Sequence, residues 1–103
     1  METRVILVTC PTNEIAETIA RSVVEARLAA CVNLISEVKS IYRWQEKVQE
    51  DQEVLLIIKS SAAKLNQLEK HILELHPYDT PEFVALSPSY VNPKYSTWIS
   101  NEL

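Results

Sequence analysis

Between Val32 and Lys59 the chain carries two long runs with the signature of strands, Val32 to Trp44 and Val48 to Lys59, joined through Gln45-Glu46-Lys47. Val38, Ser40, Tyr42 and Trp44 alternate with Glu37, Lys39, Ile41 and Arg43, whereas Val54 to Ile58 is apolar at every position. Alternation with one polar side suits an edge strand, and a run apolar on both parities suits a central strand buried on two faces. The pair predicts a hairpin with its first arm half exposed and its second arm central. At roughly 3.3 Å per residue each arm reaches about 40 Å, more than the sheet of so small a domain requires. The excess length must serve something beyond the chain's own core.

The segments on either side complete a sheet. Arg4 to Thr9 reads as a short central strand, stopped at Pro11-Thr12-Asn13. Thr12 or Asn13 can cap a helix whose first turn holds Glu14 and Glu17, close to its positive end. Ile15, Ile19, Val23 and Ala26 recur at helical spacing, which predicts a helix to about Leu28. After the hairpin, Ser60 or Ser61 can cap a second helix with Leu65, Leu68, Ile72 and Leu75 on one face, ended near His76 by Pro77. Glu82 to Leu86 reads as a fourth strand, stopped by Pro88. Asn92-Pro93 then places a capping residue before a proline in the first helical turn, with Tyr95, Trp98 and Ile99 on the apolar side of a short last helix.

The order β-α-β-β-α-β plus a terminal helix is that of the α+β, ferredoxin-like split β-α-β sandwich. Right-handed crossovers put the third strand between the first two, the fourth on the far side of the first, and both main helices on one sheet face. The central strands are apolar on both parities, so the other face also needs a cover. A second copy of the chain is the simplest one, and the long hairpin offers it an arm.

Composition narrows the function. A length of 103 residues with 47% apolar side chains makes one domain with a single core. Ten basic against fourteen acidic side chains leave a net charge of −4, and Tyr42 and Trp44 sit among mixed charges, which argues against nucleic acid. The longest apolar run is five residues and no signal-peptide pattern opens the chain, so neither a membrane span nor export is expected and the location reads as cytoplasmic. Glycine is absent, where average usage would give about seven. Glycine-rich phosphate loops and dinucleotide fingerprints are thereby excluded. The two cysteines, Cys10 and Cys31, have no paired spacing and read as buried, reduced thiols, Cys31 packed beneath the first helix.

Several motifs then occur in order: Leu28-Ala29-Ala30-Cys31-Val32-Asn33, Ser40-Ile41-Tyr42-Arg43-Trp44, Glu53 with Lys59, His76-Pro77-Tyr78 with Pro81-Glu82, and Tyr95 with Trp98. Together they closely resemble the CutA divalent-cation tolerance family over nearly the whole chain. The resemblance implies a tightly packed homotrimer like the PII-type signalling proteins, a cytoplasmic location in bacterial members, and a link to copper and other divalent cations. Members implicated in copper binding use a cysteine late in the first strand and two histidines before the Pro-Tyr of the His-Pro-Tyr motif. Here those places hold Val8, Leu75 and His76, so only His76 matches. Cys10, two residues beyond Val8 on the same side of an extended strand, is the nearest soft ligand to stand in. The family commonly has glycine in the hairpin turn where this chain has Glu46, so Glu46 sits at positive φ or the loop changes type.

Each candidate has two readings. His76 either caps carbonyls at its helix end or ligates a metal, with Cys10, Asp79 or Glu82 supplying further ligands. His71 lies five residues earlier, not the four of a helical chelating pair. Tyr42, Trp44, Tyr95 and Trp98 are interface and core aromatics or a ligand cage. Glu53 and Lys59, six apart on one strand parity, must find partners on neighbouring strands or subunits. The leading expectation is a homotrimer that binds copper or other divalent ions without turnover. The alternative is a PII-like module binding a small anionic metabolite or a protein between subunits, with Arg43 and Lys59 engaged. An enzyme ranks last, because no nucleophile-base order, phosphate loop or carboxylate pair can be assigned.

Overall fold

A computed structural model describes residues 2–103. The elements are β1 (Thr3–Cys10), α1 (Asn13–Glu25), β2 (Cys31–Trp44), β3 (Lys47–Ser61), α2 (Leu65–Leu75), β4 (Val84–Leu86) and α3 (Pro93–Glu102). The strands form one antiparallel sheet in the order β2-β3-β1-β4, the ferredoxin-like arrangement expected from the element order. Beyond the sheet body the hairpin stretches the molecule to 44 × 27 × 23 Å.

Residue parity sorts the two faces. Ile6, Val8 and Cys10 of β1 and Val54, Leu56 and Ile58 of β3 are buried against Ile19 and Val23 of α1 and Leu68 and Ile72 of α2. At about 1.5–3 kcal/mol for each large side chain removed from water, this layer supplies most of the driving force. The opposite parity presents Val5 and Leu7, paired across β3 with Lys59 and Ile57 and across β4 with Leu86 and Val84. Neither main helix covers this second face. Val5, Leu7, Leu55 and Ile57 are half-buried, while Ile35, Val84 and Leu86 are each about 45% exposed.

Thr12 caps α1, its hydroxyl accepting the Ile15 N–H at 3.2 Å. The helix ends at Glu25, three residues before Leu28, because Arg27 turns into the left-handed region at φ 58°. Arg27 N–H then donates to the Val24 carbonyl and Leu28 N–H to the Val23 carbonyl, a Schellman ending in which an arginine occupies the usual glycine position. The start of α2 also differs from expectation. Ser61 makes no side-chain cap bond and opens a 3-10 turn (Ala62–Lys64), while the buried Ser60 hydroxyl donates to the Leu28 carbonyl at 2.6 Å. Burial gave Ser60 a partner 32 positions away in sequence, so it could not serve the helix. On α2, Leu75 is 42% exposed rather than part of the buried face. β4 is only three residues long, beginning at Val84 rather than Glu82. At α3, Asn92 Oδ1 accepts the N–H groups of Lys94 and Tyr95, and Ile99 is fully buried.

Two irregularities shape the hairpin. Register shifts between Ile35, opposite Leu55, and Val38, opposite Glu53, so that Ser36 and Glu37 face a single residue of β3, with Glu37 at φ 61°. Such a bulge inverts side-chain parity beyond it. Strict alternation from Asn33 and Ile35 would bring Ile41 and Arg43 to the uncovered face; the bulge brings Val38, Ser40, Tyr42 and Trp44 instead. At the tip, Trp44 pairs with Lys47 around Gln45 (φ 49°) and Glu46 (φ 64°). Two consecutive left-handed residues make a type I′-like turn, so Glu46 takes the positive-φ alternative.

Candidate functional site

The bulge and the segment after α2 together create a cleft of about 830 Å³. Tyr42 and Trp44 of β2, Glu53 of β3, and Tyr78, Asp79 and Glu82 of the loop before β4 line it, with Lys39 as the cation of the lining. Four of the residues expected to act in a cleft or interface, Tyr42, Trp44, Glu53 and Glu82, are thus gathered in one place.

Glu53 is the centre of the site. It is only 8% exposed, and its Oε2 accepts a hydrogen bond from the Tyr78 hydroxyl at 3.0 Å. Burial and the bond to Glu53 hold the Tyr78 proton well above the ordinary phenol range. The Tyr42 hydroxyl donates to Asp51, which raises its pKa also. Partial burial, and then the nearby Glu53 charge, push the Glu82 carboxyl up from its ordinary value. Negative charge is therefore crowded here, and among the described residues Glu53 has no salt-bridge partner; the ion pairs are Arg4 with Glu2 and Lys39 with Glu50.

His76 lies beside the cleft, buried to 8% exposure. Tyr78 N–H donates to its Nδ1 at 3.2 Å. Nε2 therefore carries the proton of the neutral ring and donates to the Thr9 carbonyl at 2.8 Å. The Tyr78 ring leans against the imidazole with centroids 4.7 Å apart. Both nitrogens thus fasten the end of α2 and the following loop to β1. Cys10 lies fully buried in the apolar layer, where burial, followed by the Glu53 charge, pushes its thiol up to about 11. Among the described residues no three His, Cys, Asp or Glu side chains are gathered in a metal-ligating group.

The remaining candidates lie elsewhere. Lys59 Nζ donates to Asn33 Oδ1 and lies 3.9 Å from Cys31 Sγ. Cys31 therefore belongs to the uncovered face, not beneath α1, because its pairing with Lys59 sets its parity. Tyr95 stacks on Trp98 at 5.6 Å between centroids, and its phenol is raised by burial and then by the adjoining Cys31. Trp98 lines a second, smaller hollow beside Arg27 and Ala30. Outside the cleft, His71 Nε2 and the Ser22 hydroxyl are 2.6 Å apart and tie α2 to α1. Tyr78 is the residue whose role the sequence did not disclose: its Pro-Tyr setting was visible, but its bond to Glu53 spans 25 positions.

Residues 4–102 match the family model described as CutA1 divalent ion tolerance protein. The chain belongs to this family. It is 47% identical over 95 residues to the divalent-cation tolerance protein CutA of Thermus thermophilus, covering 92% of each chain. Protein CutA of mouse is 47% identical over 92 residues, which are 89% of this chain and 52% of the mouse protein, so the chain spans about half the length of that relative. Among solved structures, CutA from Xylella fastidiosa superposes with a TM-score of 0.96 at 41% identity, covering 99% of this chain and 98% of that one. An Arabidopsis thaliana relative is named chloroplastic and an Archaeoglobus fulgidus structure periplasmic, so membership does not fix a compartment. Among the described residues no helix is long and apolar enough to cross a membrane.

Proposed function

We propose that the chain is a divalent-cation tolerance protein that binds copper or other divalent ions as a homotrimer, in the cytoplasm and without turnover. The observation that carries this reading is the placement, in a family matched over residues 4–102, of a carboxylate-lined cleft directly beside His76. The apolar face of β1, β3 and β4 supports the assembly, since a closed ring of copies would remove it from water. His76 is the nitrogen ligand of choice, with Asp79 and Glu82 as the oxygen donors of the adjoining loop and Cys10 as the thiolate.

Neither His76 nor Cys10 is free for the ion beforehand. Nδ1 of His76 must first release the Tyr78 N–H, and Cys10 must lose its proton within the apolar layer. Binding is therefore weak and coupled to a local opening at the end of α2. The anionic-metabolite alternative would draw on Arg43 and Lys59, since three carboxylates and one lysine line the cleft. The test is calorimetric titration of the purified assembly with copper, zinc and a nucleotide. Copper or zinc heat lost in His76→Ala supports metal binding at this place, and heat with the nucleotide alone refutes it.

A further inference from the structure

The cleft has three properties that a metal ion does not use. Its volume, about 830 Å³, falls in the range of small-molecule sites and far exceeds that of a single ion. Tyr42, Trp44 and Tyr78 are in its wall, and aromatic faces attract organic cations through their quadrupoles. Its deepest charge, Glu53, is more than nine-tenths buried yet balanced by no cation among the described residues. Buried charges are ordinarily paired, since an unpaired one forfeits hydration without return. The hydrogen bond from Tyr78 engages Oε2 and leaves the lone pairs of Oε1 for a further donor.

We propose that this cleft binds an organic cation, an alkylammonium or guanidinium group, with Glu53 as its counter-ion and Trp44, Tyr42 and Tyr78 as its aromatic walls. An ammonium needs one good carboxylate and aromatic rings, and the wall of the cleft supplies both. Lys39 does not fill the role, because its Nζ is 4.0 Å from Glu50 and its side chain is 61% exposed. The site shares the loop of Asp79 and Glu82 with the metal reading but rests on Glu53 and the aromatic wall, whereas the ligand of choice for the metal is His76.

Agmatine, which carries both groups, and acetyl-arginine amide represent the free and the protein-borne source of the cation. Each is titrated into the intact assembly at low salt, followed by calorimetry and by Trp44 fluorescence in a Trp98→Phe background. Saturable binding of either probe is expected, weakened at least about tenfold by Glu53→Gln, as loss of a charge-assisted bond requires. Should Glu53→Gln fail to fold, Trp44→Ala at its half-exposed position serves instead, with severalfold weakening expected. Absence of binding by both probes, or affinity unchanged in the variant that folds, overturns the proposal. Metal heat that persists in Glu53→Gln while probe binding is lost would separate the two sites.

Discussion

Glu46 offers a quantitative test of the hairpin, because it holds a left-handed conformation without the residue that adopts it freely. At φ 64° its Cβ crowds the following carbonyl, which costs about 1–2 kcal/mol for an L-residue. Replacement by glycine removes that cost but loosens the unfolded chain, a loss of about 0.4–1 kcal/mol. The side chain is exposed at the tip, so little else changes. The balance is a gain of about 0.5–1 kcal/mol. With an unfolding entropy of about 2.1 cal/mol/K per residue, it raises Tm by roughly 2–5 °C over a chain of this length. Thermal and urea denaturation of wild type, Glu46→Gly and Glu46→Ala, at one fixed protein concentration, measure it. Alanine retains the Cβ and should stay near the wild type. A loss of more than about 1 kcal/mol in the glycine variant, with freedom of the chain as its only effect, would refute the left-handed assignment, and equal effects of alanine and glycine would refute the steric explanation.

Ile57→Asp, a charge in the middle of the uncovered face, should break the assembly into smaller species by light scattering; an unchanged mass would place the interface elsewhere. Copper titration of wild type and His76→Ala should show binding lost in the variant. A variant that binds as tightly as wild type would move the metal site away from His76. Because the Cys10 pKa is raised from 9.0 to about 11 on folding, its stabilising contribution is complete below pH 9.0 and disappears as pH rises through about 11. Denaturant midpoints should therefore fall less steeply across that window in Cys10→Ala than in wild type, and parallel curves would contradict the burial of the thiol. Ile72→Ala should cost about 2–5 kcal/mol in urea unfolding, as emptying a fully buried site in the layer between sheet and helices requires; a cost below about 1 kcal/mol would mean that α2 packs differently.

The sequence by itself determined the element order, hence the sheet order, because strand and helix periodicity are local and crossover handedness leaves few ways to connect them. Thr12 and Asn92 were legible for the same reason: a cap satisfies N–H groups two or three residues away. The family, too, was readable from short motifs in order. Tertiary structure alone decided which of those motif residues meet. The bulge at Ser36-Glu37 reverses parity and puts Tyr42 and Trp44, not Ile41 and Arg43, on the side of Glu53. Nothing in the local pattern announces it, since glutamate has no preference for φ near 60° and is held there by the pairing on either side. Likewise Arg27 ends α1 in a glycine conformation because the chain must turn there to bring Leu28 into the core. His76 and Cys10 were recognised as ligand types, but type does not reveal availability. The Tyr78 N–H and Thr9 carbonyl that occupy His76, and the apolar layer that closes over Cys10, arise only when segments as far apart as 67 positions pack together.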